Sequence, residues 1–251
     1  MFVRFKKRHA IAIISLLTTA ACFHTPASAQ QRARGGPAPD DNTGFEAIFD
    51  GKTLNNWDGD PTFWRAEDGE IIGESTADKV VKVNTFLIWK GGTLKDFELK
   101  ADFKLSEAAN SGIQYRSVVL PEVAKWAMKG YQADMDGSDT YTGQLYEERA
   151  RGFLAMRGQF TRMLPGKSLK LIGSLAESAA LKAFIKPNDW NQIHIVAKGN
   201  TLIHSVNGRV MAIFIDDDPE ARAMEGQLGL QLHMGKPMKN EFRNIYLKKL
   251  Q

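Results

Sequence analysis

The sequence has 251 residues, of which 43% are hydrophobic, 25% charged and 10% aromatic. This composition is typical of a globular protein and excludes collagen, a disordered chain and a coiled coil. The formal net charge of +4 comes from four basic residues near the N-terminus, because removing them from the 33 bases leaves 29, equal to the 29 acids. A nucleic-acid-binding protein should keep a basic excess, so no nucleic-acid partner is expected.

The first 29 residues have the parts of a secretory signal peptide. A basic segment, MFVRFKKRH, precedes the apolar run AIAIISLLTTAA, and Ala27-Ser28-Ala29 then forms a cleavage signal before Gln30. The run is about half the roughly 20 residues that a membrane span needs, and no second long apolar run follows, so no membrane span is predicted. We therefore expect an exported, periplasmic protein. A lipoprotein anchored at Cys22 is less favoured, because Thr19 stands three residues before it where Leu is usual.

The rest of the chain divides into a linker, residues 30–43, and one domain, residues 44–251. The linker, QQRARGGPAPDDNT, is rich in Pro, Gly and polar residues. Within the domain, turn dipeptides such as Asp50-Gly51 and Asn207-Gly208 separate short segments of alternating polar and apolar residues. Such alternation predicts antiparallel strands. The eight segments are 97–105, 111–116, 131–136, 191–197, 201–206, 210–215, 227–233 and 242–250.

These patterns predict an all-β fold, with one antiparallel β-sandwich as the simplest architecture. The spacing of apolar residues over 171–185 predicts a single short helix. Because successive side chains of a strand point to opposite sides, the alternation also assigns faces. Several strands have polar faces that are poor in Lys and Glu and carry Gln, Asn, Asp, Arg and His instead. Side chains of these types suit hydrogen bonding to sugar hydroxyls, which indicates a carbohydrate-binding surface.

Several common catalytic motifs are missing from the sequence. There is no G-x-S-x-G, no H-E-x-x-H and no complete phosphate-binding loop. Of the three histidines that follow the leader, His233 ends an apolar strand segment and precedes Met234-Gly235, so we expect it at the rim of the sheet. His204 shares a face with apolar residues, and packing in the core is an equally good interpretation there.

The order of motifs along residues 44–250 resembles the 3-keto-disaccharide hydrolase family, also described as 3-keto-glucoside 1,2-lyases and 3-keto-2-hydroxyglucal hydratases. The resemblance covers nearly the whole domain. Each motif is weak alone, but together in this order they are specific. The segments that carry it are GFEAIFDGKTLNNW (44–57), FWRAEDGEI (63–71), KDFELKADFKLSEAANSGIQYRS (95–117), GYQADMDG (130–137), TGQLYEERAR (142–151), KPNDWNQIHIVAKGNTLIHSVNG (186–208) and GQLGLQLHMGKPMKNEFRNIYLKKL (226–250).

The resemblance implies a concanavalin A-like sandwich of two antiparallel sheets that binds its ligand on a concave face. It implies cleavage of 3-keto-glycosides by removal of the C2 proton, elimination at C1 and hydration of the 2-hydroxyglucal. A separate sugar 3-oxidoreductase must then supply the 3-keto substrate. The family's polar positions fall on Asn110, Arg116, Gln132, Asp134, Tyr146, Glu147, His194, Gln231 and His233.

Roles follow from the chemistry of these side chains. We predict His233 as the base or as a metal ligand, because imidazole titrates near neutral pH, and Asp134 as the group that orients it or shares a divalent metal. Arg116, Gln132 and Gln231 are predicted to hold the developing oxyanion and the sugar hydroxyls. Tyr146 or Glu147 would serve the leaving group. Further predicted residues are His194 for catalysis, Asn110 for substrate binding and Trp126 as a platform for sugar stacking.

Two other interpretations remain open from the sequence. A non-catalytic carbohydrate-binding module would have the same fold and the same polar face. A structural domain of a larger exported assembly would also agree with the neutral charge, but it would not explain the clustered Gln, Asp, Arg and His side chains. The binding module can be distinguished from the enzyme by its response to substitution of His233 and Asp134. In an enzyme these residues matter for turnover, whereas in a binding module they matter only for affinity.

Overall fold

The computed structural model describes residues 1–2 and 41–251. The predicted leader and most of the predicted linker therefore lie outside the described residues. In the described part no helix is long and apolar enough to cross a membrane. In chain order the elements are β1 (Glu46–Ala47), β2 (Trp57–Asp58), β3 (Trp64–Glu67), β4 (Glu70–Ser75), β5 (Thr85–Trp89), β6 (Phe97–Leu105), β7 (Asn110–Val119), β8 (Met128–Asp136), β9 (Leu145–Glu148), β10 (Gly152–Ala155), β11 (Gln159–Leu164), β12 (Ser168–Ser174), α1 (Ser178–Lys182), β13 (Asn191–Lys198), β14 (Thr201–Val206), β15 (Arg209–Asp216), β16 (Gln227–Leu232) and β17 (Met238–Lys249).

The strands form two sheets. The ten-stranded sheet has the order β12-β11-β15-β14-β13-β6-β17-β4-β3, with β1 also paired to β17, and the seven-stranded sheet has the order β10-β9-β8-β7-β16-β5-β2. Neighbours are antiparallel except for β11 and β15, which run parallel. The chain passes repeatedly from one sheet to the other, so each sheet is built from distant parts of the sequence.

The hydrophobic core lies between the two sheets. Alternate residues of β6, from Phe97 to Phe103, are almost fully buried, and so are Tyr131, Ala133 and Met135 of β8 in the facing sheet. The side chains between them on β8 lie on the outer face of the seven-stranded sheet, since side chains alternate along a strand. The predicted all-β sandwich is confirmed, and its alternation determines which polar residues are available for a site.

The predicted helix is much shorter than its sequence pattern. It is limited to Ser178–Lys182, where Leu181 packs into the core. Residues 171–174, the first part of that pattern, belong instead to strand β12 (Ser168–Ser174), which pairs with β11 at the edge of the ten-stranded sheet. β-sheet pairing therefore overrides the apolar spacing of this segment.

Candidate active site

A cleft of about 230 Å³ lies on the outer face of the seven-stranded sheet. It brings together six of the residues that the sequence predicted, from strands β7, β8 and β9 and from the end of β16. It also contains three residues that the sequence analysis missed. The lining residues are Asn110, Gln132, Asp134, Tyr146, Gln231 and His233, with Tyr141, Glu148 and Phe153 in addition.

Strand register explains why these side chains meet. Gln132 stands opposite Tyr146 of β9, and Asp134 stands opposite Gly112 of β7. Gly112 leaves room for the Gln132 side chain, because a Cβ atom there would lie 2.4 Å from the Gln132 amide carbon. Any residue larger than glycine would therefore displace the amide from the floor of the cleft.

The floor of the cleft is a short chain of amides that ends on a carboxylate. Gln132 Nε2 donates to Asp134 Oδ1 at 3.0 Å and to Gln231 Oε1 at 3.4 Å. Within the described part of the chain, Gln132 Oε1 and Gln231 Nε2 are buried without a hydrogen-bond partner. Buried polar atoms are rarely left unpaired, so a donor and an acceptor here point to a polar ligand.

Burial raises the pKa of Asp134 to about 7, and the negative charges of Asp136 and Glu148 act in the same direction. The hydrogen bond from Gln132 opposes this shift but does not overcome it. Desolvation disfavours the ionised form of a carboxyl group. Asp134 can therefore accept or release a proton near neutral pH.

His233 stands at the rim of the cleft, as predicted. Its Nδ1 atom lies 2.6 Å from the carbonyl oxygen of Met234, and a carbonyl can only accept, so Nδ1 carries the hydrogen. In the neutral ring the lone pair is then on Nε2. Asn84 links the segment of His233 and Met234 to Glu148. Its Oδ1 accepts a hydrogen bond from Met234 N at 2.9 Å, and its Nδ2 donates to Glu148 Oε1 at 3.1 Å.

An aromatic wall closes the β10 side of the cleft. The rings of Tyr141 and Phe153 are stacked, with centroids 5.6 Å apart, and Tyr146 meets Phe153 edge to face at 5.0 Å. Burial raises the pKa of Tyr146, so its hydroxyl stays protonated at neutral pH. Flat aromatic surfaces suit the apolar faces of sugar rings. The sequence pattern indicated Tyr146 but neither Tyr141 nor Phe153, because the three residues come from a turn and two short strands.

A buried histidine supports the site from inside the sandwich. His204 is fully buried, and burial lowers its pKa to about 4, so the ring is neutral. Its Nδ1 lies 3.1 Å from the Gln144 carbonyl oxygen, which also accepts from Asp134 N at 3.0 Å. Its Nε2 accepts from the Tyr115 hydroxyl at 2.8 Å. The core interpretation of His204 is the one that the structure supports.

The structure does not bring Arg116 into the cleft. The alternation predicted it on the same face as Asn110, and this prediction is wrong because β7 has an irregular register after Tyr115. Arg116 has a left-handed backbone with φ 47°, and its buried guanidinium donates to the carbonyls of Lys95 and Gly199 and to Asp96. It stabilises the fold far from the predicted oxyanion.

Glu147 also points away from the cleft, and Glu148 takes its place. Glu147 stands opposite the core residue Tyr131, so its side chain lies on the inner side of β9 and pairs with Arg151 at 2.5 Å. The residues on each side of it, Tyr146 and Glu148, then face the cleft. The sequence contained both glutamates, but four residues of β9 give too little alternation to decide which one faces outward.

His194 and Trp126 lie elsewhere as well. His194 is on β13 of the other sheet, where its Nε2 lies 2.9 Å from Glu98 Oε2. The indole of Trp126 donates to Asp58 at 2.9 Å and packs on a separate apolar cluster that contains Phe86. Neither residue lines the cleft.

A divalent metal held by Asp134 and His233 was allowed by the sequence. Both residues line the cleft, but in the described part of the chain no group of three or more His, Cys, Asp or Glu side chains is arranged to hold a metal ion. Glu148 lines the cleft as well, but it is not arranged with Asp134 and His233 as a shared ligand set, and two ligands are fewer than such ions take from a protein in a dedicated site. The residues present do not form a complete ligand set, and no step is assigned to a metal.

The sequence of residues 44–248 matches the family model described as a 3-keto-alpha-glucoside-1,2-lyase-like domain. The chain belongs to this family. It is 28% identical over 182 residues to a 3-keto-disaccharide hydrolase from Bacteroides thetaiotaomicron. That match covers 67% of this chain and 58% of the relative, so the chain spans less than two thirds of the relative's length.

Solved structures support the fold of this family member. A provisionally assigned glycosyl hydrolase from Parabacteroides distasonis is 22% identical, with a TM-score of 0.53 and coverage of 83% of this chain and 95% of that one. The carbohydrate binding module CBM66 from Bacillus subtilis is 16% identical, with a TM-score of 0.50 and coverage of 77% and 96%. At these identities the likeness concerns the β-sandwich alone.

Proposed function

We propose that this chain is an exported enzyme that cleaves 3-keto-glycosides, including 3-keto-disaccharides, by elimination followed by hydration. The observation that carries the proposal is the carboxyl group of Asp134, which lies buried beside amides in the cleft with a pKa of about 7. Such a group can exchange a proton at neutral pH, as general acid–base catalysis requires. The family description and the name of the Bacteroides thetaiotaomicron relative support the substrate class.

Asp134 is assigned to the elimination step. A ketone at C3 acidifies the hydrogen on C2, and the carboxylate takes that proton while the electron pair moves onto the C3 oxygen as an enolate. Gln231 Nε2, which lacks a partner among the described residues, is available to donate to this oxygen. Donors fixed in advance around a developing oxyanion lower the barrier. The enolate then collapses, C1 and C2 form a double bond, and the C1–O bond breaks.

Tyr146 is assigned to the leaving group. Tyr146 lies on β9, which pairs with β8, the strand of Gln132. Its hydroxyl stays protonated because burial raises the pKa of Tyr146. It can give its proton to the departing oxygen, which would otherwise leave as an alkoxide. This role replaces the predicted alternative of Glu147, whose carboxylate is occupied by Arg151.

His233 is assigned to hydration rather than to the first proton transfer. The lone pair of its Nε2 can take a proton from water, whose oxygen adds to C1, while Asp134 returns its proton to C2. The product is a free 3-keto sugar, and the proton taken from water replaces the one that Tyr146 gave up. Each group thus ends in the state in which it began.

The chemistry requires a second enzyme and suits an exported protein. A glycoside with a hydroxyl at C3 has no acidic C2 hydrogen, so a sugar 3-oxidoreductase must act first. The predicted signal peptide over residues 1–29 supports export, with the periplasm as the expected compartment.

A carbohydrate-binding module is the second candidate. The stacked rings of Tyr141 and Phe153 favour it, because such a wall binds sugars without any chemistry. It does not account for the raised pKa of Asp134. A binder would tolerate loss of that titration, whereas an enzyme would not.

Substitution of the two acid–base groups tests the assignments. Asp134→Asn should lower turnover of a 3-keto-glucoside by about 100-fold or more, since general-base catalysis contributes roughly 10²–10⁴-fold. His233→Gln should still release the leaving group but accumulate the enone, which is followed by its ultraviolet absorbance. His194→Gln, a matched control on the other sheet, should behave as the wild type. Unchanged turnover in Asp134→Asn, or equal behaviour of the two histidine variants, would overturn the assignments.

A further inference from the structure

A second and larger cavity lies beside the cleft. Its volume is about 580 Å³, and it lies at the edge of the sandwich, where β9 and β10 of the seven-stranded sheet approach β11 and β12 of the other. None of the proposed catalytic groups lines it. The residues that matter for its chemistry are Lys129, Arg151, Phe153, Leu154, Lys167 and Leu169.

Phe153 connects the two spaces, because its side chain lines both of them. On the cleft side its ring contacts Tyr146 and Tyr141. It stands on edge strand β10 and is 38% exposed, so its ring is accessible to a ligand. The ring of Phe153 is therefore a wall that the cleft and the second cavity share.

Among the described residues that line the cavity, the buried charges are paired with one another or with a neighbouring carboxylate. The guanidinium of Arg151 donates to Glu147 at 2.5 Å and to Asp216 at 2.6 Å, so both carboxylates neutralise it. Leu154 and Leu169 add apolar surface, and the exposed residues Lys129, Lys167 and Glu220 add charged groups of both signs. Such a lining fits a neutral ring that combines hydroxyl groups with an apolar face.

The volumes of the cleft and the cavity also favour a ligand that occupies both. Small-molecule sites have volumes of roughly 300–1,000 Å³. The cleft of about 230 Å³ lies below this range and can hold only a small ligand, such as one sugar ring, whereas the neighbouring cavity brings the combined space within it. A substrate with two rings needs the second volume.

We infer that the second cavity binds the leaving group of the substrate, as a neutral sugar or similarly hydroxylated ring, while the keto sugar occupies the cleft. This inference rests on the proposed function and adds to it the size and class of the leaving group. The assignment of Tyr146 agrees with this inference, because its ring contacts Phe153, the residue that lines both spaces. Leu169 and the lysines then determine specificity and take no part in the chemistry.

Filling the cavity tests the inference. Leu169→Trp should lower kcat/KM for a 3-keto-disaccharide by about tenfold or more, with kcat/KM for the methyl 3-keto-glucoside within about twofold of wild type, because a methyl group does not reach the cavity. Leu171→Trp is the matched control, since Leu171 is on the same strand, is exposed and does not line the cavity. It should change neither value.

The outcomes separate the two proposals. If the wild type acts on both substrates and Leu169→Trp affects them equally or not at all, the cavity does not bind the leaving group. If the wild type acts on neither substrate, the proposed function fails and the inference with it. Should Leu169→Trp fold poorly in thermal melts, Leu169→Ala and Lys167→Ala replace it, and each should raise KM for the disaccharide alone.

Discussion

At the scale of single residues, the account depends on Asp134. The same burial that raises its pKa to about 7 also makes its ionised form unfavourable in the folded protein. Its ordinary pKa is 3.8, so between about pH 4 and pH 7 the folded state binds more protons than the unfolded chain. Stability must therefore fall as pH rises through this window. A group kept for catalysis at the expense of stability has this signature.

We therefore expect Asp134→Asn to be more stable than the wild type at pH 8 and nearly equal to it at pH 4. The difference at pH 8 should be about 4 kcal/mol, or about 8–16 °C in Tm for a domain of this size. Thermal melts of both proteins at the two pH values measure it. A difference that stays constant from pH 4 to pH 8 would show that the carboxyl group does not titrate in this window.

Residue types in the cleft were predictable, but some side-chain directions were not. Gln132, Asp134 and Gln231 follow from strict alternation on long strands. Arg116 does not, because a local irregularity of β7 turns it to the other side. The outward direction of Glu148 follows only from the pairing of β9 with β8, in which the neighbouring Glu147 stands opposite the core residue Tyr131. This pairing is a long-range property of the sheet.

At the scale of elements, the turn between β8 and β9 shapes the cleft. Asp136 Oδ1 accepts from Tyr141 N at 2.7 Å and from Thr142 N at 3.1 Å, while its Oδ2 accepts from Thr140 N at 3.1 Å and from the Ser138 hydroxyl. One carboxylate thus orders the whole turn. This order places the Tyr141 ring against Phe153.

Asp136→Asn should loosen the turn, because an amide has a single acceptor oxygen and would direct N–H groups at backbone N–H donors. We expect a loss of about 2–3 kcal/mol in stability and a rise in KM that exceeds any fall in kcat, since the Tyr141 ring is part of the aromatic wall proposed to bind the sugar. Hydrogen exchange of residues 138–142 and steady-state kinetics measure both effects. Unchanged exchange in this turn would contradict the role of Asp136. The two variants also serve as controls for each other, because Asp134→Asn should stabilise the protein at pH 8 and Asp136→Asn should destabilise it, although both replace an aspartate by asparagine on the same strand.

The strands show how far pattern alone reaches at this scale. Long amphipathic strands such as β6 and β14 were predicted with their observed bounds. The short strands β9 and β10 carry Tyr146 and Phe153, yet four residues contain too few alternations to stand out. The sequence pattern therefore did not predict the aromatic wall, although it predicted the residues of the polar floor.

At the scale of the whole molecule, the hydrophobic core and the candidate site lie on different faces of the seven-stranded sheet. The inner faces of both sheets form the core, and the outer face of the seven-stranded sheet contains the cleft of the candidate site. The fold is shared with a binding module, so the sandwich itself does not decide between binding and catalysis. The features that bear on this choice are the buried carboxyl group of Asp134 and the cavity next to the cleft.

The most direct test of the central claim is leaving-group release by the purified chain from one glucoside in two forms, with the 3-hydroxyl intact and with a ketone in its place. The account predicts release from the keto form alone, with a rate that rises with pH through about 7 as Asp134 ionises. Release from both forms at similar rates would contradict elimination. Binding of either form without release from any would identify the domain as a carbohydrate binder.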